Sequence, residues 1–96
     1  MAIQGFASRL VERFFREGTL SPRVGWSAVA RVAARKLDLV DYAGRLSDLA
    51  SPPGKPLEAL EGDLDGFHSI RIKDQWRVVF RWTPAGPAEV DIRDYH

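Results

Sequence analysis

Three side chains that can move protons stand together at the end of the 96-residue sequence, in Asp94-Tyr95-His96. An imidazole titrates near neutral pH, and a phenol and a carboxylate accompany it, so the segment holds the groups that general acid–base catalysis uses. The alternative interpretation is a surface tail with three polar residues, because chain ends are usually frayed and chemically inert. The choice depends on which residues the fold brings near this segment.

Cationic residues alternate with apolar ones in two segments upstream, residues 69–73 and 76–82. The alternation predicts two strands of an antiparallel hairpin, each with one apolar side and one charged side. Fixed positive charge near proton-transfer groups is the combination that chemistry on a phosphodiester requires. The alternative is a solvated strand face, on which arginines are common.

The register of this hairpin decides where its cations lie. A three-residue loop at residues 73–75 pairs Ile72 with Trp76 and keeps the apolar side chains on one side, whereas a two-residue loop would mix the faces. The favoured register sets Arg71 directly opposite Arg77, where like charges repel unless an anion bridges them. Arg77 points away from the apolar side, so its replacement by Ala is expected to leave the fold intact. The charged side then carries Arg71, Lys73, Arg77 and Arg81.

The composition fits a single domain over residues 1–96. With 45% hydrophobic residues and three tryptophans the chain can build a core, and the absence of cysteine excludes disulfides. Residues 1–6 lack a secretory signal and no segment reaches membrane-spanning length, so a cytoplasmic protein with no membrane partner is expected. A net charge of +1 argues against coating nucleic acid through bulk charge, so such a contact needs a local patch.

Helical periodicity dominates the first half of the chain, after a possible short strand at residues 3–6. Ser8 and Gly18 are residue types that begin and end a helix, and they bound the first one. A longer second helix is predicted from residues 21–22 to residues 42–44. Its apolar stripe consists of Trp26, Val29, Ala30, Ala33, Leu37 and Val40.

A break rich in proline and glycine at residues 51–54 separates this helical half from a β half. A short packed segment at residues 46–49 precedes the break, and residues 57–60 and a turn follow it. Residues 88–93 alternate as a last strand beyond the hairpin. The sequence therefore predicts an α+β fold, with two N-terminal helices packed on one face of a small antiparallel sheet.

Two further residues of the β half carry groups with a possible chemical role. Glu58 is either an exposed strand position or an acid or base that faces the cationic site, whereas His68, at a strand start, suits a structural or rim role. The sequence has no phosphate-cradling glycine loop, no nucleophile elbow and no pair of histidines at metal-ligand spacing. Neither a metal nor another cofactor is expected.

Three segments of the β half resemble the HigB toxins, the killer branch of the RelE-like toxins of bacterial toxin–antitoxin pairs. They are residues 57–63, 67–78 and 94–96, which occur in the family's order and spacing. The resemblance implies a RelE-like α+β fold and cleavage of mRNA, typically on translating ribosomes. It also implies neutralisation by a helix-turn-helix antitoxin of the HigA type, through which alone the toxin would reach operator DNA.

The resemblance also implies roles for particular residues. Arg77 would bind or neutralise the scissile phosphate, Asp94, Tyr95 and His96 would complete the catalytic set, and Glu58 stands where some members have a histidine. RNA carries its own nucleophile, so the protein need only deprotonate a 2′-OH, stabilise the phosphorane and protonate the 5′-oxygen, with no metal. The charged side of the predicted hairpin, rather than the resemblance, adds Arg71, Lys73 and Arg81 as expected phosphate contacts.

The sequence departs from the family at two positions that often hold cations. Glu61 stands where the family often has Lys, and Leu64 where it often has Arg. These departures support an alternative, a non-catalytic module of the same fold that binds the antitoxin or the ribosome. A DNA-binding repressor is disfavoured, because the second helix has no helix-turn-helix partner.

Overall fold

A computed structural model describes residues 2–50 and 57–94 and shows an α+β arrangement. The strands form one antiparallel sheet in the order β1-β2-β3-β4, and both helices pack on the same face of it, as predicted. None of the helices in this part of the chain is long and apolar enough to cross a membrane. The helices and strands are α1 (Arg9–Glu17), α2 (Ala30–Tyr42), β1 (Leu57–Ala59), β2 (Phe67–Lys73), β3 (Trp76–Thr83) and β4 (Gly86–Asp94).

The first helix begins and ends where the sequence predicts. The Ser8 hydroxyl accepts a hydrogen bond from the backbone N–H of Val11, which satisfies one of the free donors of the first turn. Gly18 ends the helix in the left-handed region, at φ 75°, and its N–H donates to the Phe14 carbonyl.

The second helix begins later than predicted, at Ala30 rather than at residues 21–22. A short 3-10 turn, Ser27–Val29, precedes it. Gly25 passes close to the Trp76 ring, since a Cβ on Gly25 would lie 2.9 Å from Cη2 of that ring. The loop therefore follows the packing of Trp76 instead of continuing a helix. The end of the helix, at Tyr42, agrees with the prediction.

The predicted strand at residues 3–6 is reduced to an isolated bridge. Phe6 forms one parallel bridge with Val90 of β4, supported by a hydrogen bond from the Val90 N–H to the Gly5 carbonyl. The Gln4 N–H also donates to the Pro87 carbonyl, at 2.7 Å. The segment thus lies along β4 without forming a regular strand.

The hairpin of β2 and β3 has the predicted register in its middle but a different turn. Arg71 lies opposite Arg77, as predicted, but Lys73 pairs with Trp76, so the loop contains two residues rather than three. A register shift between Arg71 and Lys73 leaves Ile72 as the extra residue of a bulge. The bulge supplies the one-residue correction that a two-residue loop needs to keep the apolar side chains on one face.

The core lies between the helices and one face of the sheet. It joins Leu37 and Val40 of α2 to Val78 and Phe80 of β3, and all four side chains are fully buried. The residues before and after each of these strand positions therefore project on the opposite face. That face, turned away from the helices, is called the outer face below.

Candidate active site

Cross-strand pairing arranges the outer face in two rows of side chains. Each row runs perpendicular to the strands, and its members are directly opposite partners on neighbouring strands. The first row has carboxylates at both ends and the second row has only arginines. The mixed row consists of Glu58, Ser69, Val79 and Asp91, and the arginine row consists of Arg71, Arg77 and Arg93.

Arg77 is the most enclosed charged group on the outer face among the described residues, with 8% of its surface exposed. Its Nε donates to the hydroxyl of Ser69 at 2.6 Å, and Ser69 itself is fully buried. Its Nη2 lies 2.6 Å from Oε1 of Glu58, a close charge pair that is not an aligned hydrogen bond. The guanidinium is therefore fixed in position, which is what stabilisation of a developing negative charge requires.

Glu58 faces the cationic site, which was the second of the two alternatives for it. Its carboxylate contacts Arg77, while 48% of its side chain stays exposed. The geometry leaves the carboxylate accessible to a hydroxyl group of a bound molecule. A role as general base stays a prediction.

Asp91 is a second outer-face carboxylate, which the analysis of the sequence did not single out. Burial raises the pKa of this carboxyl above its usual 3.8, and a hydrogen bond from the Ile92 N–H and the charge of Arg93 partly offset the rise. The sequence did indicate an outer-face position for Asp91, because Asp91 and Arg93 alternate with the apolar residues of the last strand.

The predicted RNA-binding cations are not equivalent. Arg71 is exposed and lies in the arginine row. Arg81 is paired instead, since its Nε donates to Oε2 of Glu89 at 2.8 Å. Lys73 was expected near Arg71 on the charged side, but the bulge shifts it into register with Trp76, which packs against the core. The bulge therefore takes Lys73 out of the register of the arginine row, and its role in RNA binding stays a prediction.

The described part of the C-terminal cluster lies on the other side of the sheet. Asp94 pairs with Trp76, and alternation from the buried Ile92 puts Asp94 on the helix side. The structure therefore does not bring Asp94 into the two rows of the outer face. Tyr95 and His96 lie outside the described residues, and their catalytic roles stay predictions.

His68 has the structural or rim position that the sequence favours. Its half-buried ring stacks on Phe80, with 6.4 Å between centroids and 24° between planes, so it lies on the helix side of β2. The family departures Glu61 and Leu64 lie at the turn before β2, where Glu61 is exposed and Leu64 is half-buried.

Ser69 and Arg93 also belong to the site and were not singled out from the sequence. Ser69 holds the guanidinium of Arg77 in position. Arg93 is exposed and lies directly opposite Arg77, on β4. A serine inside an apolar strand run signals a buried hydroxyl that needs a partner. For Arg93 the signal was the alternation of the last strand.

These features define a small α+β protein with a row of arginines on the outer face of its sheet and a carboxylate beside the central arginine. The chain belongs to the HigB-like toxins, the RelE-like toxins of type II toxin–antitoxin systems, whose family model matches residues 4–96. A toxin of such a system has an antitoxin as its partner.

Individual relatives agree with this family. Over 82 residues the chain is 39% identical to Toxin HigB-1 of Vibrio cholerae, with 85% of this chain and 84% of that protein covered. It is 29% identical over 94 residues to Endoribonuclease HigB of Proteus vulgaris, with 98% and 99% covered. An uncharacterized protein of Haemophilus influenzae is 32% identical over 77 residues, which cover 80% of this chain and 75% of that protein.

Proposed function

We propose that this toxin is an endoribonuclease that cleaves mRNA on translating ribosomes by metal-independent transesterification. The observation that carries the proposal is Arg77, a guanidinium fixed by Ser69 and set against the accessible carboxylate of Glu58. One group supplies positive charge and the other a proton acceptor, which are two of the three functions that RNA cleavage needs. The name of the Proteus vulgaris relative, Endoribonuclease HigB, supports the same reaction class.

The reaction uses the RNA's own 2′-hydroxyl as nucleophile. Glu58 takes its proton, the 2′-oxygen bonds to phosphorus, and Arg77 stabilises the charge that develops on the phosphoryl oxygens. The bond from phosphorus to the 5′-oxygen then breaks, and His96 gives that oxygen a proton. The products are a 2′,3′-cyclic phosphate and a 5′-hydroxyl. In this proposal Tyr95 stacks on a base. Asp94 acts only on His96, from the helix side of the sheet, and does not contact the phosphate at Arg77.

The partners follow from this reaction and from the family. The proposed antitoxin is a helix-turn-helix protein of the HigA type, and the toxin reaches operator DNA only within its complex with that antitoxin. The proposed substrate is mRNA on the ribosome, so the protein would act in the cytoplasm.

A second candidate function is a non-catalytic module that binds the antitoxin or the ribosome. Two observations favour it. The carboxylate of Glu58 already compensates the charge of Arg77, and Glu61 is an exposed anion where the family often has a cation. A phosphate must therefore compete with Glu58 for the guanidinium.

Induction of the protein in bacteria tests the proposal. Growth arrest is expected when the toxin is produced alone, and co-expression of the neighbouring antitoxin should restore growth. The matched control is Arg31→Gln, which removes one exposed charge from α2 and should arrest growth like the wild type. Normal growth with abundant folded toxin would favour the binding module.

A further inference from the structure

Two arginines of the outer face have no partner within the described residues. Neither Arg71 nor Arg93 makes an ion pair or a hydrogen bond there, although the charge of Arg93 acts on Asp91 from a longer distance. Four other arginines of the surface are paired with a neighbouring carboxylate, whereas Arg9, Arg23, Arg31 and Arg35 have no such pair within the described residues either. The four pairs are Arg13 with Glu17, Arg16 with Glu12, Arg45 with Asp48 and Arg81 with Glu89.

The position of Arg71 and Arg93 makes their unpaired state costly. Both lie directly opposite Arg77, one on each side, and like charges in such cross-strand pairs destabilise a sheet. Adjacent strands are about 4.8 Å apart, so the backbone positions of the two outer arginines are about 10 Å apart, with Arg77 between them. A polyanion laid across the strands would neutralise all three charges.

We propose that Arg93 is a further phosphate-binding residue, and that it holds the RNA backbone on one side of the phosphate at Arg77 while Arg71, already predicted from the sequence to contact phosphate, holds it on the other. The inference rests on the proposed function and deepens it by placing the path of the RNA across β2, β3 and β4. Arginine suits this role because its planar fork donates two parallel hydrogen bonds to a phosphate. Contacts of this kind fix position and carry no sequence information.

An acidic segment of the antitoxin is the other polyanion whose charge is complementary to this row. RNA fits better, because Glu58 and Asp91 lie in the neighbouring row of the same face. Both groups repel any anion, but the ribose hydroxyls of a sugar–phosphate chain can donate hydrogen bonds to them, which a peptide carboxylate cannot. The same carboxylates therefore favour a sugar–phosphate chain over an acidic peptide.

The test measures binding of a single-stranded oligonucleotide with 2′-deoxy sugars, which the proposed reaction cannot cleave. The variants are Arg71→Gln and Arg93→Gln, with Arg31→Gln of α2 as the control of equal charge change. Each phosphate contact contributes about 0.7 to the slope of log affinity against log salt, so each variant should lower the slope by about 0.7. A slope lower by about 0.7 corresponds to about fivefold weaker binding at about 0.1 M salt.

Three results distinguish the possibilities. The inference holds if Arg71→Gln and Arg93→Gln lower affinity and slope while Arg31→Gln and antitoxin binding stay at wild-type values. It is overturned if Arg93→Gln binds the oligonucleotide like the wild type, or if that variant loses only antitoxin binding. If the wild-type protein does not cut RNA but the two variants still weaken oligonucleotide binding, the proposed function is refuted and the inference about Arg71 and Arg93 is retained.

Discussion

Replacement of Arg77 by alanine should separate the chemistry of this site from its stability. The sequence predicted that the change would leave the fold intact, because Arg77 points away from the helices. Arg77 does point away from the helices, but the residue is only 8% exposed and donates a hydrogen bond to a fully buried serine. We therefore expect a stability loss in addition to the loss of activity.

The stability loss can be approximated from the two contacts. A buried hydrogen bond with a charged donor is worth about 1.5–3 kcal/mol, and the pair with the half-exposed Glu58 adds at most about 1 kcal/mol. Since domains are stable by about 5–15 kcal/mol, Arg77→Ala should still fold. Removal of one charge-stabilising donor commonly costs about 10²–10³ in rate, and we expect cleavage to slow by that factor.

The assay is single-turnover cleavage of mRNA at saturating toxin, together with urea unfolding of each variant. Ser69→Ala is the matched control, because it removes the same hydrogen bond but keeps the guanidinium and its contact with Glu58. It should lose a similar amount of stability but slow cleavage much less than Arg77→Ala does, because the charge remains and only its positioning is loosened. The reasoning is refuted if a folded Arg77→Ala protein cleaves at the wild-type rate.

Four further expectations follow from the same site. In urea unfolding, the stability advantage of Asp91→Asn over the wild type should grow as pH rises above the usual carboxyl pKa of 3.8, because the raised pKa of Asp91 makes its ionisation oppose folding. Glu58→Gln should slow cleavage but maintain or strengthen oligonucleotide binding, because the carboxylate that competes for Arg77 is gone, and an unchanged rate would exclude Glu58 as the base. Deletion of Tyr95 and His96 should abolish cleavage with little change in antitoxin affinity or melting temperature; full activity would show these residues to be a tail. Arg71→Gln should raise the free energy of unfolding by about 0.2–1 kcal/mol, since it relieves a like-charge pair, and a loss of stability would contradict that repulsion.

The hairpin shows what alternation in the sequence can and cannot predict. The pairing of Arg71 with Arg77 follows from the two-residue period of a strand, so the centre of the cationic row was predictable. The turn was not, because a two-residue loop and a bulge at Ile72 together keep the same faces as a three-residue loop. Asp74 takes a positive φ of 55° in that turn, which aspartate tolerates better than most residues.

Tertiary contacts explain the other differences. From its helical periodicity, the second helix was predicted to begin too early in the chain. The segment before Ala30 is shaped instead by the approach of Gly25 to the Trp76 ring, a contact that can be seen only in the fold. Arg93 was missed because its row depends on the pairing of β3 with β4, which shifts register near Glu89. The bonds from Arg77 to Ser69 and Glu58 likewise join three strands, and no local pattern reports them.

The ends of the cleaved RNA test the central claim most directly. Purified toxin is added to ribosomes translating a defined mRNA, and the fragments are analysed for their terminal groups. Attack by the 2′-hydroxyl predicts a 2′,3′-cyclic phosphate on the upstream fragment and a 5′-hydroxyl on the downstream fragment. Uncut message, or fragments with 5′-phosphate ends produced by attack of water, would contradict the account.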